Sequence, residues 1–203
     1  MVDGGAPDEA VVARAADVLR AGGLIVYPTE TLYAVGGAGL DPAAARRARL
    51  AKGRPDDKPL PLIVADAETA RGLCRSWPAA ADALAGRFWP GPLTLVLQAS
   101  PRVPVEVTAG TGTVALRVSG LPLARAISRA AGPLVSTSAN RAGEPPATTC
   151  GEALLAVGSA VALALDGGAC TGAPSTIVDL SGDRPALLRE GAVGWAELTG
   201  LLG

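Results

Sequence analysis

Short apolar runs alternate along this chain with longer stretches whose apolar residues recur every three or four positions, and clusters of glycine, proline and aspartate separate the two. Asp8 predicts a cap for a helix reaching about Arg20, with Val11, Ala15, Val18 and Leu19 on one face and Gly22-Gly23 as its stop. Leu24 to Tyr27 is too short and too apolar for a surface helix and predicts a central strand ending at Pro28. Asp41-Pro42 opens a second helix to about Ala51, with Arg46, Arg47 and Arg49 on its outer, solvated side. Leu60 to Val64 predicts an inner strand, Asp66 to Cys74 and Pro78 to Phe88 two helices, and Leu93 to Leu97 a strand after the stiff turn Trp89-Pro90-Gly91-Pro92. Pro101 to Gly112 reads as a rim loop, Thr113 to Val118 as an alternating strand, and Leu121 to Ala131 as a helix stopped by Gly132-Pro133. Leu134 to Ser136 and Val161 to Leu165 predict short strands, Glu152 to Val157 a short helix, and the tail adds apolar runs at Ile177 to Leu180 and Leu187-Leu188. The alternation predicts one open α/β domain over residues 8–199, a twisted mixed sheet with flanking helices and a ligand cleft at strand ends.

Composition narrows the chemistry. Hydrophobic residues make up 49% of the 203 positions but aromatics only 3%, so the core is built from small aliphatic groups; Trp77, Phe88 and Trp89 read as core anchors before a base-stacking platform. A net charge of -1 excludes a grossly basic nucleic-acid coat and still permits a local anion pocket. Histidine is absent, which removes histidine general bases, Ser-His-Asp and Cys-His triads and ordinary histidine-containing zinc sites. Cys74, Cys150 and Cys170 have no paired spacing, and an odd count fits a reducing, cytoplasmic compartment. Neither a signal core nor an apolar run of membrane length stands out, so no membrane association is expected.

Candidate chemistry gathers at strand ends. Lys52-Gly53-Arg54-Pro55-Asp56-Asp57-Lys58 places three cations in a proline-stiffened loop, where an extended backbone would point Lys52 and Arg54 the same way. Thr29, Glu30, Thr31 and Tyr33 follow the first strand, and Ser136, Ser138 and Asn140 follow a later one, with Gly143 to Thr149 as a flap beside them. Arg117 stands between Leu116 and Val118; turned inward it needs an anionic partner, turned outward it means little. The glycines form neither a dinucleotide fingerprint nor a Walker A loop.

Five segments in order, Tyr27-Pro28-Thr29-Glu30-Thr31-Leu32-Tyr33, Lys52-Gly53-Arg54-Pro55, Trp89-Pro90-Gly91-Pro92-Leu93-Thr94, Ser138-Ala139-Asn140 and Ser175-Thr176-Ile177-Val178-Asp179, resemble the YrdC/Sua5 family of L-threonylcarbamoyladenylate synthases in its short form. The resemblance covers about residues 10 to 194 and implies a YrdC/RibB-like fold. It also implies the conversion of L-threonine, bicarbonate and ATP to threonylcarbamoyl-AMP, diphosphate and water, feeding the N6-threonylcarbamoyl modification of adenosine 37 in transfer RNA. By the same resemblance Lys52, Arg54, Ser138 and Asn140 form a signature tetrad. Arg54, Lys58, Thr113, Ser138 and Arg189 match ATP-side positions, and Thr31, Arg117, Ser136 and Ser175 match positions around threonine. Mg²⁺ would come bound mainly to ATP, with no protein metal cage. Tailoring of transfer RNA would need partner proteins, with at most weak RNA contact by this chain.

The chain departs from that pattern at Ile63, where many members have histidine, at Ala34 after Tyr33, where glycine is familiar, and at Pro174, where glutamate is frequent. Two other readings stay open: a non-catalytic RNA-binding protein of this fold, and a carbamoyl-phosphate-dependent module that forms carbamoyladenylate.

Overall fold

The computed structural model describes residues 6–170 and 172–202. Its strands are β1 (Ile25–Pro28), β2 (Tyr33–Gly36), β3 (Leu62–Ile63), β4 (Leu93–Gln98), β5 (Thr113–Arg117), β6 (Leu134–Val135), β7 (Thr137–Ser138), β8 (Leu163–Ala164), β9 (Thr176–Asp179) and β10 (Ala186–Arg189). The helices are α1 (Glu9–Arg20), α2 (Pro42–Lys52), α3 (Ala67–Arg71), α4 (Ala79–Phe88), α5 (Val105–Thr108), α6 (Pro122–Ala131), α7 (Cys150–Val157) and α8 (Trp195–Leu202). The expected mixed α/β architecture with flanking helices is present, and its strands fall into two sheets: β7-β2-β1-β8, and β10-β9-β4-β5-β3-β6. No helix among the described residues is long and apolar enough to cross a membrane.

Caps placed the helices well. The Asp8 carboxylate accepts from the Ala10 and Val11 amides, Asp41 from Ala43, and Asp66 from Thr69, each meeting a donor that the first helical turn leaves unpaired. Other expectations need correction. Tyr33 to Gly36, to which the sequence assigned no element, is a fully buried strand pairing antiparallel with both β1 and β7. The loop expected over 101–112 contains α5, and α8 follows the last strand, where no helix was expected. The helix expected from Asp66 to Cys74 ends at Arg71, and the inner strand expected over 60–64 is regular only at Leu62–Ile63.

The two sheets meet through the segment 134–138. Leu134 and Val135 pair with β3 in the larger sheet, and Thr137 and Ser138 pair with β2 in the smaller, so the chain changes sheets at Ser136. Its amide donates to the Pro61 carbonyl at 2.9 Å, while the Val135 amide donates to that of Gly37 at 2.9 Å. The crossing needs glycine at Gly36, where an added Cβ would stand 2.3 Å from the Val135 carbonyl oxygen.

One large apolar cluster lies under the longer sheet, and Leu93, Leu95 and Leu97 of β4 each project fully buried into it. Burying each contributes roughly 2 kcal/mol. A second cluster joins Ala15 and Leu19 of α1 to Ala124 and Ile127 of α6 over Ile25, Tyr27 and Ile63. Trp77 and Trp89 pack against the larger core with ring centroids 6.2 Å apart, as core anchors.

Candidate active site

The period-two alternation of strands decides which side chains face the cleft. In β4, Thr94 and Val96 turn away from the leucine core; in β5, Thr113, Ala115 and Arg117 do the same, and in β9, Ile177 and Asp179. These residues floor a cavity of about 670 Å³ whose other walls come from β2, β7, the loop before β3, and β10. Of the eleven residues that match the family's site positions, nine line it: Thr31, Arg54, Thr113, Arg117, Ser136, Ser138, Asn140, Ser175 and Arg189. Ile63, Ala34 and Pro174, the three departures, line it too.

Lys52 and Lys58 do not line this cavity. Lys58 is exposed, and its carbonyl accepts from Arg49 and Arg54. Lys52 does not share an extended segment with Arg54, because it is the last residue of α2 and Gly53 turns the chain in a left-handed cap with φ 60°. Its ammonium is buried behind the cavity wall, donating to the Ser138 carbonyl, the Asn140 carbonyl at 2.8 Å and Asn140 Oδ1 at 3.1 Å. Three acceptors require three N–H groups, which only the protonated amine supplies. Burial, and after it the charge of Arg54, pulls the Lys52 pKa down to about 8.

Arg49 also corrects an expectation. Instead of facing solvent it is buried, and its guanidinium donates to the carbonyls of Pro55, Lys58 (2.9 Å) and Glu106 (2.9 Å). It fixes the basic loop from behind, and the loop presents Arg54, which donates to the Pro59 carbonyl at 2.8 Å. Arg46 and Arg47 are exposed as expected.

Arg117 turns inward. Its Nη1 donates to Thr31 Oγ1 at 3.1 Å and lies 3.8 Å from the Glu30 carboxylate, which accepts in turn from the Ser119 hydroxyl. Burial alone would raise the Glu30 pKa; the Arg117 charge, the Ser119 hydroxyl and the Gly120 amide outweigh it and hold the carboxyl below its usual range. Thr29 Oγ1 donates to the Leu32 carbonyl at 2.7 Å, accepts from the Thr31 and Leu32 amides, and lies 2.8 Å from Thr31 Oγ1. Thr31 Oγ1 accepts from Arg117 and shares a hydrogen bond with Thr29 Oγ1, which holds it at the cleft. The Tyr33 hydroxyl is spent elsewhere, between Asp166 Oδ1 (3.0 Å) and the Gly168 carbonyl (2.8 Å).

Across the cleft, Arg189 donates to the Ser175 carbonyl (2.7 Å) and to Ser175 Oγ (3.2 Å), and Ser175 Oγ lies 2.9 Å from Thr94 Oγ1. Burial first, and then the Arg117 charge, lowers the Arg189 pKa; burial first, and then Arg49, lowers that of Arg54. Guanidinium groups that burial and one another disfavour are a site in want of an anion. Sequence reasoning passed over the Ser119 hydroxyl and quoted Thr94 inside a segment without a role, since both roles arise only from pairing across strands. It quoted Asp179 inside a segment and gave it no role.

The family profile described as "Telomere recombination" (Sua5, YciO and YrdC) matches residues 17–191. A threonylcarbamoyl-AMP synthase of Pyrococcus abyssi is 39% identical over 191 residues, covering 93% of this chain and 56% of that protein, so this chain spans little more than half of that relative. A threonylcarbamoyl-AMP synthase of Chromobacterium violaceum is 41% identical over 180 residues, 88% of this chain and 93% of the relative. A crystal structure of P. abyssi Sua5 complexed with L-threonine superposes with a TM-score of 0.93 at 37% identity, covering 97% of this chain and 58% of that one. With the profile spanning most of its length and a synthase of similar size matched nearly end to end, the chain belongs to the YrdC/Sua5 family of threonylcarbamoyl-AMP synthases.

Proposed function

We propose that this chain catalyses the synthase reaction itself, joining L-threonine, bicarbonate and ATP into threonylcarbamoyl-AMP with release of diphosphate, and that residues 8–199 form the catalytic domain. The observation that carries the reading is the convergence of three arginines, Arg54, Arg117 and Arg189, with the hydroxyls of Thr31, Ser136, Ser138 and Ser175 in one cavity. Its volume of about 670 Å³ falls in the small-molecule range of roughly 300–1,000 Å³. The P. abyssi relative bound to L-threonine supports placing that amino acid here.

Arg117, braced by Glu30, holds the threonine carboxylate. Thr31, with Ser136 and Ser175, orients the amine and the side-chain hydroxyl. The free amine attacks the bicarbonate carbon, water leaves, and a carbamate forms. A carbamate oxygen then attacks the α-phosphorus in line while the bond to the β-phosphate oxygen breaks. Arg54 and Arg189 meet the charge that develops on the phosphates, and Thr113 and Ser138 fix their alignment. Mg²⁺ would come held mainly by the ATP phosphates and would neutralise part of their charge. Lys52 works at one remove, as the clamp that sets Ser138 and Asn140. The product would pass in the cytoplasm to partner proteins that modify transfer RNA.

Diphosphate release that requires both threonine and bicarbonate tests the reading, because neither a carbamoyl-phosphate module nor a non-catalytic RNA binder has that double requirement. Arg54→Ala should stay folded by circular dichroism and lose at least tenfold in kcat/KM for ATP, with Arg54→Lys recovering part of it, since lysine lacks the planar fork. A folded Arg54→Ala protein with wild-type ATP dependence would sink the assignment.

A further inference from the structure

The cavity contains a group that a site for a polyanion should exclude. Asp179 lines it, half-buried on β9, in a cleft whose other charged lining is Arg54, Arg117, Arg189 and, at its exposed flap, Glu144. Register fixes its place. Arg189 pairs with Ile177, and Ile177 with Thr94, so these three form one row across the sheet. Asp179 is two residues further on and pairs with Val96, which pairs with Ala115. At the usual strand rise it lies about 7 Å along β9 from that row. Its neighbours in the row, Val96 and Ala115, have small aliphatic side chains and offer a flat apolar floor.

A carboxylate beside a triphosphate would oppose binding, so this end of the cavity suits an uncharged part of the nucleotide. A flat apolar floor with one acceptor at its edge has the form of a base-reading site: the ring lies on Val96 and Ala115 while the carboxylate meets a donor on the ring edge. Among the described residues one carboxylate oxygen has a partner, Oδ1 accepting from the Ser181 amide at 2.8 Å in the turn after β9. The other oxygen is left for the cleft.

From this arrangement, and resting on the reading that ATP occupies the cavity, we infer that Asp179 determines base specificity by accepting a hydrogen bond from the exocyclic amine of adenine. A base with a carbonyl oxygen at that position would face the carboxylate acceptor to acceptor and be rejected.

The test compares wild type, Asp179→Asn and Asp179→Ser with ATP, ITP and 2′-deoxy-ATP, reading diphosphate release in the presence of threonine and bicarbonate. In Asp179→Asn the amide oxygen stays with the Ser181 N–H, so the NH₂ group faces the cleft as a donor, opposed to adenine and suited to the carbonyl of ITP. Wild type should prefer ATP over ITP by about 100-fold in kcat/KM. Asp179→Asn should cut that ratio at least tenfold, by losing ATP and gaining ITP. Asp179→Ser keeps an oxygen for the turn and should lose ATP without gaining ITP, which separates base reading from a merely capping role. An active wild type whose ATP-to-ITP ratio survives Asp179→Asn overturns the inference alone. A variant effect that follows the 2′-deoxy probe instead assigns Asp179 to the ribose and overturns it as well. A wild type that neither binds nor turns over ATP overturns the function proposed above, and this inference with it.

Discussion

At the scale of single residues, the cavity is made as much by side chains that never enter it as by those that do. Lys52, Arg49 and Glu30 are ionic groups whose partners were built by the fold: carbonyls of Ser138 and Asn140, carbonyls of the basic loop, and Arg117. Lys52 yields a prediction in pH. Its folded-state pKa is pulled down to about 8, whereas the unfolded chain holds that proton to about 10.4. Between those values the unfolded state binds more protons, so the contribution of Lys52 to stability rises with pH across the window. Function should move the other way, because the neutral amine has two donors for three acceptors and the Ser138–Asn140 wall loosens. The rate at saturating substrates is expected to fall as pH passes about 8, and Lys52→Arg, which keeps its charge, should flatten that limb. Profiles of kcat from pH 6.5 to 9.5 for both proteins decide it; superimposable profiles would remove Lys52 from the positioning role.

At the scale of elements, legibility followed locality. Helices α1 and α2 announce themselves through Asp8, Asp41 and their glycine stops, signals contained within a few residues. Strand β2 was hidden because its hydroxyl-bearing Tyr33 and terminal Gly36 resemble a turn, and only pairing with β1 and the distant β7 makes it a strand. Helix α8 packs Trp195, Leu198 and Leu202, at i, i+3 and i+7, on the larger core, but its single short stripe at the end of the chain carries no cap signal beside it. Arg49 was read as solvated because its acceptors lie on a loop and on α5, which no helical wheel contains. The polar residues at strand ends were legible as a set, but the face-by-face register that leaves Asp179 in the cleft was not. One contact between elements is directly testable. A Cβ at Gly191 would stand 2.2 Å from the Pro174 carbonyl oxygen and 2.7 Å from the Ser175 carbonyl carbon, backbone atoms with no rotamer to yield. Gly191→Ala should therefore push Pro174 and Ser175 into the cleft, lowering stability by about 1–3 kcal/mol and raising the KM for threonine several-fold. Melting and threonine titrations that match wild type would show that the strand-end turn absorbs the methyl group elsewhere.

At the scale of the whole molecule, charge and cavity size separate two jobs. The chain carries a net charge of -1, and Arg54, Arg117 and Arg189 face a cleft sized for small molecules instead of forming an outer stripe. A transfer RNA is held by cations that track its backbone, and an enzyme acting on one of its bases must also receive that base in a fitted pocket. On the proposed function ATP and threonine fill this pocket, so the adenylate has to leave before its threonylcarbamoyl group can reach an adenosine. The purified chain with ATP, threonine, bicarbonate and unmodified transfer RNA should therefore release diphosphate at its full rate and leave the RNA unchanged, with modification beginning only when partner proteins are added. Mass spectrometry of the digested nucleosides reads this directly. Threonylcarbamoyladenosine formed by the chain alone, at a rate comparable to diphosphate release, would mean that the cleft opens to RNA and that synthesis and transfer share one site.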